Sequence, residues 1–243
     1  MQISLEEFIT RLIEIEFSQH QMKAVDEETG LPQYLNTYIS LINQGLVDLH
    51  RRFLIKKGTV MLQTQGDRLR YRLVDEVDYL LTPDVPLNLM EVLQIFDSAG
   101  RNCPMNNTNM YDVDTTVDPS NESNINIQFV NSNTLEITSC NECLRIIYRK
   151  GPNPIPRVQD ATKYKPDEIM VDIDYVYLDA LTYYVAQRMF AVAAPMEGYG
   201  AAYAPSILYR KKYEEECQKL EQSKFDLEGT GNAGQRFHHS MMP

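Results

Sequence analysis

The chain has 243 residues, 43% of them hydrophobic and 23% charged, enough apolar material for one large domain or two small ones. Its formal charge is −11, spread along the whole length with no basic segment. That balance excludes a high-affinity phosphate-gripping groove, although an acidic wall can surround nucleic acid without adhering to it. No apolar run approaches the ~18 residues that span a membrane. The start, MQISLEEFITRL, has neither the basic beginning nor the apolar core of a signal peptide. Four cysteines in a chain this long make no disulfide framework, so synthesis in a reducing, intracellular compartment is expected. Trp is absent and Tyr numbers 15, a chemistry suited to partly wet interfaces.

Ser4-x-x-Glu7 has the form of a capping box, and a helix is predicted from there to about Phe17. Residues 18–32 are polar, contain Gly30 and Pro32, and read as a loop. From Gln33 the apolar residues Leu35, Ile39, Ile42, Leu46, Leu49 and Phe53 advance in steps of three and four. That spacing predicts a helix with one buried stripe to about Arg52.

Beyond Lys56-Lys57-Gly58 the period becomes two. TVMLQTQ, a turn at Gly66-Asp67, and RLRYRLV predict a hairpin, with Arg68, Arg70 and Arg72 on one face and Leu69, Tyr71 and Leu73 on the other. LNLMEVLQIFD (87–97) predicts a strand ending at the Ser98-Ala99-Gly100 turn, and residues 101–124 an Asn-rich loop. INIQFV, TLEIT and CLRIIYRK predict three more strands, the first two joined at Asn131-Ser132-Asn133. GPNPIP (151–156) closes the region with prolines that a sheet interior rejects.

Helical character returns near Asp174 and is expected to stop at Pro195. After a small-residue linker, a second helix capped by Ser206 is expected to about Phe225, with Tyr209, Tyr213, Cys217 and Leu220 on one side. The remainder, rich in glycine, reads as a tail. The predicted fold is α+β: a four-helix core with an inserted antiparallel β domain and an extended C-terminal tail. Residues 1–55 and 165–225 would supply the helices, 56–164 the insertion and 226–243 the tail.

Candidate chemistry is sparse. Cys140 and Cys143 have the spacing of a zinc knuckle, but no second pair completes it, and they read as two unpaired thiols at a hairpin. Asp112, Asp114 and Asp118 lack the glycine and distal Glu of a calcium loop and read as a solvated acidic loop. Asp172, Asp174 and Asp179 are accounted for by the positive end of a helix dipole. A catalytic carboxylate pair there is the alternative. His20, His50, His238 and His239 fit no nucleophile pattern, and no glycine-rich nucleotide loop is present. Neither a cofactor nor a metal is expected, and no enzymatic activity.

Two features suggest partners. Arg68, Arg70 and Arg72 form either a solvated strand face or an inter-subunit surface that would meet carboxylates. Tyr209 and Tyr213 are further inter-subunit candidates. The tail carries Phe225, Leu227, Arg236, Phe237, His238, His239, Met241 and Met242, an aromatic and methionine set that suits either disorder or a partner's surface.

The segment LINQGLVDLHRRFLIKKGTVML leading into a β insertion, then DALTYYVAQRMFAVA and YRKKYEEECQKLE, resembles the head-to-tail adaptor (connector) proteins of short-tailed bacteriophages. The resemblance covers roughly residues 33–65 and 174–222 and rests on packing patterns. It implies a structural virion protein made in the bacterial host cytoplasm, forming a homo-oligomeric ring of twelve subunits under the portal. It also implies a ring that extends the DNA channel without sequence-specific binding, docks tail proteins, and reaches the portal ring through its C-terminal segment. Rival expectations are a tail-tube or gatekeeper protein and, from another class, a metal-dependent hydrolase or nuclease built on residues 172–179.

Overall fold

The computed structural model describes residues 3–17, 34–66, 68–75, 77–81, 86–105, 125–137, 141–160, 163–197 and 199–223. Helices and antiparallel sheets are both present, as the α+β reading requires. The chain divides into two compact units: Lys56–Gly151, and the residues up to Ile55 together with those from Pro152 onward.

The helical unit begins with β1 (Ile3–Ser4), which pairs antiparallel with β9 (Met170–Val171). Helix α1 (Leu5–Arg11) starts where the Ser4 side chain accepts the Glu7 amide at 3.1 Å, and a π-helical turn, Leu12–Glu16, extends it. Helix α2 (Leu35–Arg52) follows the three-and-four spacing, and its stripe from Leu35 through Leu49 is buried. After the β unit the chain forms α3 (Leu178–Glu197) and α4 (Tyr199–Ser223). Buried residues from all four helices and from residues 155–177 make one hydrophobic core.

Helices α3 and α4 differ from expectation at their junction. Helix α3 continues through Pro195 to Glu197, and α4 starts at Tyr199 with Pro205 inside it. The expected ten-residue linker is thus mostly helix. A proline removes one backbone donor, and the alanine-rich sequence around it is strong enough in helix propensity to absorb that loss. Ser206 does not cap a new helix, and its hydroxyl bonds the Gln187 carbonyl at 3.0 Å. The two helices fold back on one another, with Tyr184 meeting Tyr213 at 5.5 Å and Phe190 stacking on Tyr209 at 5.4 Å between ring centres.

The β unit contains a four-stranded sheet, in the order β4 (Leu80–Leu81), β2 (Lys57–Gln63), β8 (Cys143–Lys150) and β5 (Leu89–Phe96). A three-stranded sheet has the order β3 (Arg70–Arg72), β7 (Thr134–Ile137) and β6 (Ile127–Asn131). The strands expected from LNLMEVLQIFD (87–97), INIQFV, TLEIT and CLRIIYRK are therefore present as β5, β6, β7 and β8. The hairpin expected around Gly66-Asp67 is not, because β2 and β3 belong to different sheets. Strand β2 pairs with β8 over its whole length, from Lys57 opposite Arg149 to Gln63 opposite Cys143, which buries Val60 and Leu62 beside Leu144 and Ile146. Gly58 is required there, since a β-carbon would run into the Tyr148 ring. Strand β3 pairs with β7 and buries Tyr71 opposite Leu135.

The end of the insertion also differs from expectation. Residues 152–160, 163 and 164 belong to the helical unit, and side-chain amides on α2 hold two of them. Asn43 donates to the Ile155 carbonyl and accepts the Ile155 amide, both at 2.9 Å. One segment further, Asn36 accepts the Val158 amide at 2.9 Å and donates to its carbonyl at 3.3 Å. Each Asn replaces the two backbone partners that an extended segment would otherwise need.

Candidate functional site

The best-defined polar constellation joins α4 to α1 and α2. Positions Tyr209, Tyr213, Cys217 and Leu220 recur every three or four residues, so all four fall on the core face of α4, and all are buried. Their polar atoms need partners there. The Tyr209 hydroxyl donates to Glu16 at 2.5 Å, and the Tyr213 hydroxyl donates to Asp48 at 2.5 Å. Burial, reinforced by these carboxylates, pushes both phenols well above their ordinary range. Burial likewise raises the Cys217 thiol to about 11, against the pull of Tyr213 and Arg52. Such a thiol is a packing group and a poor nucleophile.

At the far end of α2, Arg52 donates to Glu214 and to Glu221, each at 2.8 Å. Burial alone would lower its affinity for the proton, but the two carboxylates more than restore it. Gly45 lets α2 and α3 approach closely, because a β-carbon there would stand 2.7 Å from Leu181 and 2.8 Å from Tyr184.

A cleft of about 470 Å³ opens beside this latch, along the outer side of α2. Ser40, Asn43, Gln44, Val47, Asp48 and Arg51 of α2 line it together with Arg157 and Tyr184. Arg188 lies 5.5 Å from the centre of the Tyr184 ring.

The sequence-predicted residues fare unequally. Tyr209 and Tyr213, expected as inter-subunit candidates, are buried and their hydroxyls are bonded within the chain. Their spacing placed them on the apolar side of α4, which is the side that packs. Arg68 is not a free rung of a ladder: its guanidinium lies over Tyr79 at 4.2 Å, and its Nε bonds the Arg70 carbonyl at 2.9 Å. Arg70 pairs with Glu136 at 3.4 Å across the β3–β7 register, and Arg72 is exposed. Leu69 precedes the short strand and is exposed, unlike Tyr71 and Leu73.

Asp172 accepts the Asn153 amide at 2.8 Å, and Asp179 sits in the first turn of α3, where Arg11 donates to it at 2.5 Å. These carboxylates are thus accounted for separately. Among the described residues, no three His, Cys, Asp or Glu side chains converge on a metal position. His50 is buried with Nδ1 at 2.8 Å from the Leu46 carbonyl. Cys143 begins β8, and Cys140 lies outside the described residues. So do Asp112, Asp114, Asp118, His20 and the tail set Phe225, Leu227, Arg236, Phe237, His238, His239, Met241 and Met242.

The amide clamps and the cleft were not anticipated. Asn36 and Asn43 lie seven residues apart on one helix side, a spacing that two turns of helix superimpose, and this was the available signal. No helix among the described residues is long and apolar enough to cross a membrane. Comparison with protein-family models and with curated proteins finds no match.

Proposed function

We propose that the protein is a structural subunit of a bacteriophage head–tail junction, an adaptor ring that joins the portal to the tail and extends the DNA channel. The observation that carries the reading is the chain's organisation. Helices before and after residues 56–151 build a single core, and the intervening residues fold as a separate β unit, which is the plan the resemblance implies.

Helix α4 adds a second support. With Tyr209 and Tyr213 buried, α4 exposes the large apolar side chains of Ile207 and Leu208, 53% and 52% exposed. Adjacent large aliphatic side chains in water are suited to burial against a neighbouring subunit. Ile207 and Leu208 would then contribute to the contact between subunits. The tail residues from Phe225 to Met242 would supply the portal contact, adding affinity through effective concentration. The acidic balance suits a wall past which DNA slides.

Co-sedimentation with portal particles tests the proposal. The full chain is expected to pellet with the portal, and a chain lacking residues 226–243 to pellet less while keeping its fold. Undiminished occupancy by the shortened chain removes the tail from the portal contact. No co-sedimentation of the full chain contradicts the adaptor role.

A further inference from the structure

Among the described residues, strand β3 stands at an end of its sheet. Its bonds to β7 fall on alternate residues: the Leu69 carbonyl accepts the Ile137 amide at 2.9 Å, and the Leu73 amide donates to the Asn133 carbonyl at 2.7 Å. By that alternation the amides and carbonyls of Arg70 and Arg72 point away from β7, toward the open edge. Outward groups of this kind are a template for another strand. The sequence around them, LRYRLV (69–74), alternates apolar residues and leaves Leu69 50% exposed, which favours such pairing.

Three of the outward groups are taken by side chains. The Tyr79 hydroxyl accepts the Arg72 amide at 3.0 Å and donates to the Arg72 carbonyl at 2.9 Å. A residue of a paired strand would make the same two bonds. The Arg68 Nε donates to the Arg70 carbonyl at 2.9 Å. Both side chains are held in place. The Tyr79 carbonyl accepts the Gln63 amide at 2.8 Å, which ties it to the end of β2, and its buried ring meets Tyr71 edge-on. The Arg68 guanidinium lies over the Tyr79 ring at 4.2 Å. Charge acts in the same direction, because an antiparallel second copy of β3 would bring its own Arg70 and Arg72 opposite these exposed arginines.

We propose that Tyr79 and Arg68 close the β3 edge, an autoinhibitory contact that keeps a second copy of this chain from adding its own β3 strand. The arginines at 68, 70 and 72 thereby share one use, as a guard on that edge. The inference does not depend on the adaptor reading.

Tyr79→Phe tests it, since the ring and the seat of Arg68 remain while the hydroxyl is lost. Hydrogen exchange at the Arg72 amide, read at a dilution where the variant sediments as the parent does, is expected to quicken about tenfold, the loss of one bond to a buried partner. At higher concentration the variant should form species larger than those of the parent at equal concentration, with an intermolecular β-sheet infrared band. Arg68→Gln, an exposed change that uncovers the Arg70 carbonyl, should do the same more weakly, and it decides the question if Tyr79→Phe loses its near-ultraviolet circular dichroism. Arg70→Thr with Arg72→Thr, which leaves the Tyr79 hydroxyl in place, should sediment as the parent does. Unchanged exchange at Arg72 in Tyr79→Phe, or parental sedimentation in both Tyr79→Phe and Arg68→Gln, would overturn the proposal. Association of the double threonine variant would also overturn it, by assigning the guard to charge alone.

Discussion

The Tyr213 hydroxyl donates to Asp48 at 2.5 Å, tying the middle of α4 to the last turns of α2 across 165 residues of sequence. The ring of Tyr213 packs edge-on against Tyr184 at 5.5 Å, so one side chain touches both helices that flank it. Residues distant in the chain are therefore held together by a polar bond inside an apolar setting, where losing a partner costs more than the bond itself contributes.

Tyr213→Phe keeps the ring and leaves Asp48 without its donor. The expected loss of folding stability is about 1–3 kcal/mol, read as a shift of the urea midpoint with an unchanged slope. A neutral result would mean that solvent replaces the bond and that the latch contributes little.

Gly45→Ala tests the closeness of α2 and α3. Alanine favours the helix by up to about 1 kcal/mol, so a variant judged on propensity alone should be stabilised. The methyl would press on Leu181 and on Tyr184, whose ring is already held by Tyr213, and this crowding is expected to reverse the sign. A net destabilisation of about 1–2 kcal/mol is predicted from overpacking costs. Thermal denaturation checks it.

Stability is expected to fall in alkali. Burial lifts Cys217 from 9.0 to about 11, and burial with the neighbouring Tyr34 lifts Tyr38 from 10.0 to about 12. Tyr209 and Tyr213 are raised further still. Each folded-state value lies above the unfolded one, so the native state holds its proton more tightly. The contribution is complete below the unfolded values and is lost as pH rises through the folded ones. Melting temperature should decline from about pH 9 and more steeply above about pH 10, where free phenols titrate. Replacing Tyr213 by Phe should flatten the upper part of the decline.

Ile207→Asp with Leu208→Asp separates folding from assembly. Both side chains face solvent, so the monomer's stability should change by no more than about 0.5 kcal/mol. Association between subunits should be lost, as analytical ultracentrifugation would report. Unimpaired association would place the contact elsewhere.

Much of the helical unit was legible because its signals are local. The Ser4 cap, the stripe from Leu35 to Leu49 and the four buried positions of α4 each follow from spacing within one element. The β unit was half legible for the same reason. Alternation located β2, but alternation cannot say that its partner is β8, some eighty residues away, and the turn-like Gly66-Asp67 suggested a nearer one. The clamps of Asn36 and Asn43 were missed because an amide on a helix surface ordinarily faces water, and only a second segment reveals its use. Tyr209 and Tyr213 show the converse: tyrosine suits interfaces, and here the interface is internal.

Native mass spectrometry of the full chain, alone and with portal particles, reaches the central claim most directly. A closed ring of identical subunits, formed alone or on the portal, is expected. A chain that stays monomeric under both conditions would contradict it.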